Sequence, residues 1–447
     1  MAKPKAVFSC SNCDSQFPKW QGRCSECGQW GPIVERAAAP VDRRKVEARP
    51  GETQSFADIT VQPENRMATG ISELDRVLGG GIVPGSLTLL GGDPGIGKST
   101  LVLQLAAAAA SSGRVLYVSG EESGQQVKLR LDRLQVKASA IDYLGDTNVE
   151  TIVATIDHAR PRLVIIDSIQ TMYWPHLPAE AGSVTQVRAA TVKFLEASKR
   201  NDSAIIIIGH VTKEGMVAGP KTLEHLVDTV LYLEGDASHP FRILRGVKNR
   251  FGSTNEVGVF DMQDRGLVEV KNPSQFFLSE RQTGPGSCVA VIMEGSRPFL
   301  VEVQALVNPT IFGMPRRTST GIEFNRLQLL LAVLSKRAGL KLATQDVFVN
   351  IVGGFRVTEP AVDLAVCLAL ASAVLNKPVG HQVAAVGEVG LAGEVRSVSR
   401  LQQRVSEAKK LGFSSLVISS QASGPPASGL DVLPVATLAQ AIKEVLG

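Results

Sequence analysis

The chain has 447 residues, of which 44% are hydrophobic and 20% are charged, a balance typical of a globular protein with two or three domains. Its net charge of +4 permits an acidic partner such as nucleic acid without requiring one. No apolar run reaches the roughly 18 residues of a membrane span, and the first residues carry no secretory signal pattern. We therefore expect a cytoplasmic protein with no membrane partner.

Four of the six cysteines form two pairs near the N-terminus, Cys10-x2-Cys13 and Cys24-x2-Cys27. This spacing is typical of two zinc knuckles that close one tetrahedral four-thiolate site. Two disulfides are the alternative, which a reducing compartment disfavours. We predict a structural zinc finger over residues 1–34 that takes most of its folding energy from the metal. The finger also interleaves basic and aromatic residues, namely Lys19, Trp20, Arg23 and Trp30. These side chains suit either nucleic acid or a packing shell.

Residues 35–56 are polar and charged and contain proline, which is typical of a linker. In residues 57–270, short apolar runs alternate with helical patterns, and this alternation predicts a mainly parallel α/β sheet. We predict helices at Leu101–Ala110 and Val184–Lys199. The predicted strands are "SLTLLGG", "RVLYVSG", "LVIID", "AIIIIG" and "TVLYLEG".

The segment "GDPGIGKS", from Gly92 to Ser99, matches the phosphate-loop pattern G-x-x-x-x-G-K-[ST]. It follows an apolar strand and precedes an Ala- and Leu-rich helix, the setting in which backbone N–H groups cradle phosphates. Lys98 would reach the β- and γ-phosphates of ATP, and the Ser99 hydroxyl would bind magnesium. The predicted nucleotide-binding residues are Gly92, Asp93, Pro94, Gly95, Ile96, Gly97, Lys98, Ser99 and Thr100.

Polar residues follow three more predicted strands at the edge where ligands bind in such sheets. Asp167 closes "LVIID", where a carboxylate can hold the magnesium ion, although an aspartate there could also serve a turn. Glu121 and Glu122 directly follow "RVLYVSG", and either could be the general base toward water. Glu121 is our first choice, but the sequence does not separate the two. His210, after "AIIIIG", could sense the γ-phosphate or simply cap the strand.

A basic segment, "RGVKNRFG", places Lys248 and Arg250 at the end of another predicted strand, "FRILRGV". Residues two apart on a strand project to the same face, so the two cations would act together. Cations near a γ-phosphoryl group stabilise the charge that develops in the transition state. We therefore count both among the catalytic candidates, with a solvated edge strand as the plain alternative.

The C-terminal part begins with a second predicted linker at residues 271–286. Residues 287–447 read as a further mixed α/β domain. It contains a predicted hairpin in "SCVAVIMEGSRPFLVEVQALV" and predicted helices at Asn325–Ala338 and Ala361–Leu375.

The stretch "MATGISELDRVLGGGIVPGSLTLLGGDPGIGKST" resembles the opening of the RecA/KaiC/DnaB class of ATPases. With the four-cysteine finger and "KNRFG", the whole chain resembles the RadA (Sms) family of bacterial DNA-repair proteins. The resemblance implies a RecA-like motor that forms hexameric rings, binds single-stranded and branched DNA and drives branch migration in homologous recombination. It implies a recombinase or other repair proteins as partners. It also supports the hypothesis that Lys248 and Arg250 reach across a subunit interface and couple the ATP state to DNA binding, by contact with ATP, with DNA or with both.

In RecA-type motors the loops after the Walker B strand and after the next strand face DNA. The corresponding segments here carry Tyr173, Trp174, Arg188, Lys213 and Lys221. The two aromatic residues could stack on bases or could cover the edge of the sheet.

The C-terminal block resembles the proteolytic domain of Lon, which uses a serine–lysine dyad. Here Ala361 stands at the serine position and Gln402 at the lysine position, so both the nucleophile and its base are missing. We expect a scaffold without peptidase activity that supports ring assembly or contacts DNA. The basic residues available for DNA, each of which could instead be a solvated charge, are Arg316, Arg317, Lys336, Arg337, Lys341, Arg356, Arg396, Arg400 and Arg404.

The expected architecture is α/β: a RecA-like P-loop ATPase core between an N-terminal four-cysteine zinc finger and a C-terminal Lon-protease-like α/β domain. The expected cofactors are ATP, magnesium and zinc. Two rival functions are a KaiC-like signalling ATPase, whose class lacks the finger and the tail, and an ATP-dependent protease, which the missing dyad argues against.

Overall fold

The computed structural model describes residues 7–10, 16–17, 19–24, 29–31, 33–36, 55, 66–136, 140–210, 222–235, 241–311, 313–353, 356–422 and 429–447. The chain divides into two compact units. The first unit comprises Met1–Leu233, Gly246–Gly252 and Asp264–Gly266, and the second comprises Glu234–Arg245, Ser253–Gln263 and Leu267–Gly447. Within the described ranges, no helix combines the length and the apolar character needed to cross a bilayer.

The described part of the N-terminal segment contains the short strands β1 (Val7–Cys10), β2 (Gln16–Phe17) and β3 (Ile33–Arg36). They pair antiparallel in the order β2-β1-β3, which brings Cys10 opposite Ile33. Their buried cluster contains Cys10, Phe17, Cys24 and Ile33. A core this small is well below what a domain needs for independent stability. This segment therefore needs a further source of folding energy.

A parallel sheet forms the centre of the first unit. Its strands are β4 (Leu87–Gly92), β5 (Val115–Ser119), β6 (Ile141–Leu144), β7 (Leu163–Asp167), β8 (Ala204–Ile208) and β9 (Thr229–Glu234). They lie in the order β9-β4-β8-β7-β5-β6, and neighbouring strands are parallel. The strands β4, β5, β7 and β8 are buried at every position, as expected for central strands of a parallel sheet.

The helices of the first unit are α1 (Ser72–Leu78), α2 (Lys98–Ala109), α3 (Gly124–Arg133), α4 (Val149–Ala159) and α5 (Val184–Asn201). Polar side chains begin three of them: Ser123, Asn148 and Ser183 each accept a hydrogen bond from a backbone N–H of the first turn. By contrast, α2 follows Gly97 and has no side-chain cap. Its first N–H groups are therefore available to a ligand.

The predicted elements of this unit are confirmed. Each of the five apolar runs forms a strand, and both predicted helices are present, α2 from Lys98 and α5 as far as Asn201. Because β4, β5, β7 and β8 are parallel, their carboxyl ends meet at one edge of the sheet. That edge is the one at which the candidate catalytic residues follow the strands.

From Phe241 onward the chain forms β10 (Phe241–Asn249), β11 (Val257–Gln263), β12 (Gly266–Glu269), α6 (Pro273–Leu278), β13 (Ser287–Glu294), β14 (Arg297–Pro309), β15 (Arg317–Thr320), α7 (Phe324–Arg337), β16 (Gln345–Ile351), α8 (Asp363–Leu375), β17 (Val383–Ala385), β18 (Glu388–Val389), β19 (Val395–Arg396), α9 (Leu401–Lys410), β20 (Ser415–Ser419), β21 (Asp431–Val435) and α10 (Leu438–Leu446).

A mixed sheet in the order β15-β16-β14-β13-β17-β20-β21 forms the core of the second unit. The predicted hairpin is confirmed as β13 and β14, which pair antiparallel with Val291 opposite Leu300. The predicted helices are confirmed as α7 and α8. Residues 363–372 of α8 are buried at every position, which explains why its sequence is apolar all round.

The segment 271–286 was expected to be a linker, and the structure corrects this. It contains α6, where Phe277 is 4% exposed and belongs to the main apolar cluster of the second unit. Ser274, also on α6, accepts a hydrogen bond from the Leu300 N–H at 3.1 Å. A segment that places an aromatic ring in a core and pairs with a sheet strand is part of the domain.

Candidate functional site

The phosphate-loop segment joins β4 to α2 in backbone conformations that favour glycine. Gly95 and Gly97 have φ values of 75° and 114°. A Cβ at Gly92 would lie 2.5 Å from the carbonyl oxygen of Leu233, a distance that no side chain can adopt. A Cβ at Gly95 would meet nothing within 4 Å, while the Ile96 side chain anchors the loop at 5% exposure. The loop is therefore fixed at both ends and open at its exposed centre.

Lys98 opens α2 and is buried at 4% exposure. Its Nζ donates hydrogen bonds to the carbonyl oxygens of Gly92 at 2.8 Å and of Asp93 at 2.9 Å. Burial lowers the pKa of Lys98, and the charges of Asp167, Asp93 and Glu121 oppose that shift. The ammonium thus rests on the carbonyls of its own loop, and phosphate oxygens would be stronger acceptors at the same place.

Asp167 is the last residue of β7 and lies opposite Ser119 on β5. It is 4% exposed, and its Oδ2 accepts a hydrogen bond of 2.6 Å from the Tyr117 hydroxyl. A hydroxyl and a carboxylate are the hard oxygen ligands that magnesium prefers, and with nucleotide phosphates one or two protein ligands suffice. Ser99, half-buried in the first turn of α2, supplies the hydroxyl. The pair therefore fits a magnesium–nucleotide complex. The described residues contain no group of three His, Cys, Asp or Glu side chains suited to a metal.

The structure separates Glu121 from Glu122. Both follow the end of β5 at Ser119, at the strand end where the sequence places them. The Oε1 of Glu121 accepts a short hydrogen bond from the Ser168 hydroxyl and lies 3.3 Å from Nε2 of His210. Glu121 thus faces the residues that follow β7 and β8.

Glu122 is directed elsewhere. Its Oε1 forms an ion pair of 2.6 Å with Arg130 on α3. Its backbone oxygen accepts a hydrogen bond from the Tyr143 hydroxyl at 2.7 Å. Because the Glu122 carboxylate is engaged by Arg130 whereas Glu121 faces the residues that follow β7 and β8, the geometry favours Glu121 as the group that could polarise water.

His210 lies two residues beyond the end of β8, at the same edge of the sheet. Its backbone oxygen accepts a hydrogen bond of 3.4 Å from the Gln170 amide. The Nδ1 of His210 and the Oε1 of Gln170 are buried and have no hydrogen-bond partner among the described residues. Residues 211–221, which follow His210 and include the candidate DNA residues Lys213 and Lys221, lie outside the described ranges.

Sequence reasoning missed three polar residues of this site. Tyr117 contacts Asp167, Ser168 contacts Glu121, and Gln170 contacts His210. Each carries a weak signal: a tyrosine interrupts the apolar run of β5, and Ser168 and Gln170 directly follow the carboxylate that ends β7.

Lys248 and Arg250 do not share a strand face. β10 ends at Asn249, so Lys248 is on the strand and Arg250 lies in the turn that follows, which corrects the expected alternation. The Nζ of Lys248 donates to the backbone oxygens of Glu224 at 2.7 Å and of Val227 at 2.8 Å. Burial, followed by the charge of Arg250, lowers the pKa of Lys248. The lysine thus fastens the segment that precedes β9.

Arg250 reaches the same segment by another contact. Its Nη1 forms an ion pair of 3.0 Å with Oδ1 of Asp228, whose side chain is 5% exposed. The Oδ2 of Asp228 accepts a hydrogen bond of 3.1 Å from the N–H of Leu87, the first residue of β4. Asp228 therefore joins the basic segment to the strand that leads into the phosphate loop.

Two of the four predicted zinc ligands are described. Cys10 and Cys24 are fully buried together with Phe17 and Ile33. Cys13 and Cys27 lie outside the described residues, so the four-thiolate site stays a prediction. Trp20 and Trp30 are 61% and 78% exposed, and the Arg23 guanidinium lies 5.8 Å from the centre of the Trp30 ring.

The aromatic residues after β7 differ in environment. Tyr173 is 39% exposed, whereas Trp174 is partly buried and its ring lies 5.3 Å from the Lys193 ammonium. The indole Nε1 of Trp174 donates to Glu150 at 3.4 Å. Trp174 therefore packs partly against its own chain and is partly exposed to solvent. Tyr173 and Arg188 are both exposed and are the more accessible pair.

Ala361 and Gln402 lie in different environments. Ala361 is 1% exposed and packs in an apolar cluster with Val291 and Val405. Gln402 is exposed on α9 and lines a surface pocket with Ser296. The alanine side chain is therefore buried, whereas the glutamine faces solvent.

The basic residues of the second unit differ in access. Arg404 is fully buried, so the expectation that it contacts DNA is wrong. Arg317 donates to Gln328 at 2.6 Å, and Arg396 pairs with Glu394. The candidates that remain exposed are Arg316, Lys336, Arg337, Lys341, Arg356, Arg396 and Arg400.

A parallel sheet whose one edge carries a phosphate loop, an acidic strand end and a carboxylate beside a histidine fits a RecA-like ATPase domain. The family model described as an AAA domain matches residues 52–216. The family model described as subunit ChlI of Mg-chelatase matches residues 302–422. The chain belongs to the RadA family.

Three curated relatives support this membership. The chain is 50% identical over 454 residues to DNA repair protein RadA of Streptococcus pyogenes serotype M6, with 100% of both chains covered. It is 49% identical over 457 residues to the protein of that name from Bacillus subtilis, again with 100% of both covered. It is 49% identical over 455 residues to the one from Listeria monocytogenes, with the same coverage.

Proposed function

We propose that this chain binds single-stranded and branched DNA and uses ATP hydrolysis to drive branch migration during homologous recombination. The observation that carries the proposal is the convergence of Lys98, Asp167 and Glu121 at one edge of the parallel sheet. The names of the relatives, which are DNA repair proteins, support the DNA half of the proposal.

Residues 92–100 bind the phosphates, and Lys98 exchanges the carbonyls of Gly92 and Asp93 for phosphate oxygens. Ser99 and Asp167 would hold a magnesium ion, and that ion would supply positive charge beside the transferring phosphoryl group. Glu121 orients the attacking water and accepts its proton. Its contacts with Ser168 and His210 fix the direction of its carboxylate.

His210 transmits the nucleotide state to the DNA-binding loop. It contacts Glu121 on one side and immediately precedes residues 211–221 on the other. Oε1 of Gln170 and Nδ1 of His210 are buried and have no hydrogen-bond partner within the described ranges, which favours this role, because such atoms gain a hydrogen bond when the site rearranges. Tyr173, Arg188, Lys213 and Lys221 are the residues that contact single-stranded DNA.

Lys248 and Arg250 act across the interface between two copies of the chain. To reach the nucleotide of a neighbouring subunit, Lys248 must leave the oxygens of Glu224 and Val227. That exchange loosens the segment directly after residues 211–221 and thus couples ATP in one subunit to the DNA loop of the next. Arg250 contributes through its ion pair with Asp228.

The rest of the chain organises the motor. Residues 1–34 form a zinc finger with Cys10, Cys13, Cys24 and Cys27 as ligands, residues 35–56 form a linker, and residues 57–270 form the motor core. Residues 287–447 form a Lon-protease-like scaffold that supports a homo-oligomeric, hexameric ring. The buried Ala361 supports a role without peptidase activity. Metal analysis of the purified chain, native mass spectrometry and casein digestion test these three points.

The test of the motor is the ATPase rate of the full chain with and without single-stranded DNA. We expect stimulation by DNA in the wild type, loss of turnover in Lys98→Ala, and retained nucleotide binding but lost stimulation in Lys248→Ala. Lys128→Ala is a matched control, because Lys128 is exposed and, among the residues that the structure describes, its ammonium pairs only with Asp132 on its own helix. An unstimulated wild type that phosphorylates itself would instead support a signalling ATPase.

Mixing variants tests the interface. In the proposed interface, one subunit supplies Lys98 and its neighbour supplies Lys248. An oligomer mixed from Lys98→Ala and Lys248→Ala subunits therefore contains some interfaces in which both lysines are present. We expect the mixture to hydrolyse ATP faster than the mean of the two separate variants. Mixed oligomers without any recovery would show that Lys248 acts within its own subunit.

A further inference from the structure

Strand β5 is buried at every position, yet it contains a tyrosine. Tyr117 is 1% exposed, and its hydroxyl donates the 2.6 Å hydrogen bond to Oδ2 of Asp167. The strand register explains the contact. Ser119 lies opposite Asp167, so Tyr117, two residues earlier, is on the same face and its long side chain extends toward the strand end.

The chemistry of the pair fixes the direction of this bond. An ionised carboxylate only accepts hydrogen bonds, so the phenol must keep its proton and donate. In the described part of the chain, this is the one hydrogen bond donated to the Asp167 side chain.

We propose that Tyr117 is a positioning residue for Asp167. The Tyr117 hydroxyl holds one oxygen of the Asp167 carboxylate, so that the other oxygen can bind the magnesium ion of the bound nucleotide. The inference rests on the proposed ATPase function. Carboxylates that bind metals are commonly oriented by a hydrogen bond from a neighbouring group, and loss of that group weakens the metal site. Because Asp167 is 4% exposed, water cannot replace the phenol without rearrangement.

A second tyrosine beside the site provides a matched control. Tyr143 on β6 also donates its hydroxyl, at 2.7 Å, to an oxygen near the site, but the acceptor is the backbone of Glu122. The Tyr143→Phe variant therefore removes a phenol hydroxyl of the same site without touching Asp167.

The experiment measures binding of AMP-PNP, an ATP analogue that is not hydrolysed, to the full chain as magnesium is titrated. For Tyr117→Phe we expect the magnesium concentration at half-maximal binding to rise about 10-fold or more. Binding in EDTA should be unchanged. Tyr143→Phe should behave as the wild type in both conditions, and thermal unfolding in EDTA reports whether each variant is folded.

A double-variant cycle tests whether the effect passes through Asp167. Asp167→Asn alone should raise the magnesium requirement, and adding Tyr117→Phe should raise it no further, because the carboxylate that the phenol orients is gone. An additive effect would overturn the proposal. So would an unchanged Tyr117→Phe, an equal loss of binding in EDTA, or a Tyr117→Phe chain that does not fold while Tyr143→Phe does.

Failure of this inference is distinct from failure of the proposed function. If Lys98→Ala and Asp167→Asn bind AMP-PNP with magnesium as the wild type does, the nucleotide site itself is misassigned. If both are defective and Tyr117→Phe is normal, only the positioning role is lost.

Discussion

Replacing Arg404 by alanine removes a buried guanidinium, and we expect the second unit to lose stability. Arg404 is fully buried, and it donates to the backbone oxygens of Val291 at 2.6 Å and Ser399 at 3.0 Å. It also forms a bidentate ion pair with Glu359. Alanine removes the guanidinium from both carbonyls and from this carboxylate, which keeps the hydrogen bond from the Met293 N–H at 2.8 Å.

The expected magnitude follows from these contacts. Removing one partner of a buried ion pair costs about 3–5 kcal/mol. Because the Glu359 side chain is 25% exposed and water can reach it, we expect the lower end, about 3 kcal/mol. For a unit of this size each kcal/mol lowers Tm by about 2–4 °C, so the transition should fall by about 6–12 °C.

Thermal unfolding of the full chain, followed by circular dichroism, measures this change. Arg400→Ala is the matched control on the same helix end, because Arg400 is exposed and its guanidinium donates to one backbone oxygen, that of Gly295. Its free energy of unfolding should change by about 0.5 kcal/mol or less. An Arg404→Ala chain with an unchanged Tm and weakened DNA binding would refute the reasoning, since it would mean that the guanidinium lies at a DNA-binding surface.

Three further outcomes follow from the site and the core. Glu121→Gln should lower the ATPase rate by about 100-fold, whereas Glu122→Gln should lower it less than about 10-fold, and steady-state kinetics at saturating ATP compares them. Gly92→Ala should destabilise the chain by about 1–3 kcal/mol in urea unfolding, because its Cβ would lie 2.5 Å from the Leu233 oxygen; an unaltered midpoint would mean that the loop adapts freely. Burial raises the pKa of Cys288 to about 12, so this thiol should resist a thiolate-specific reagent at pH 8 until the protein unfolds, as peptide mass spectrometry would reveal. Rapid labelling of Cys288 in the native chain would contradict that expectation.

The sequence predicted the strands well for a physical reason. Central strands of a parallel sheet are buried on both faces, so they appear as apolar runs such as "AIIIIG". The phosphate loop is equally easy to recognise in the sequence, because Gly92, Gly95 and Gly97 adopt backbone conformations that favour glycine. The residue that ends each strand could then be assigned to one edge without knowledge of the packing.

The direction in which each side chain of the site points could not be predicted from the sequence. Glu121 and Glu122 are neighbours with the same chemistry, and only the positions of His210 and Arg130 assign them to different surroundings. Likewise, the polar flanks of α6 predict a linker, but a neighbouring core buries Phe277.

The amino-acid sequence by itself determined the class of the protein. The phosphate loop, the acidic strand end and the alternation of strands and helices are local patterns that can be recognised without knowledge of the packing. Tertiary structure decided which groups act together. Tyr117 and Asp167 are 50 residues apart in sequence yet share a hydrogen bond, because parallel pairing sets their strands side by side. The same holds for Arg404, since a helical arginine is solvated or buried according to what packs over it, and Glu359 lies 45 residues away.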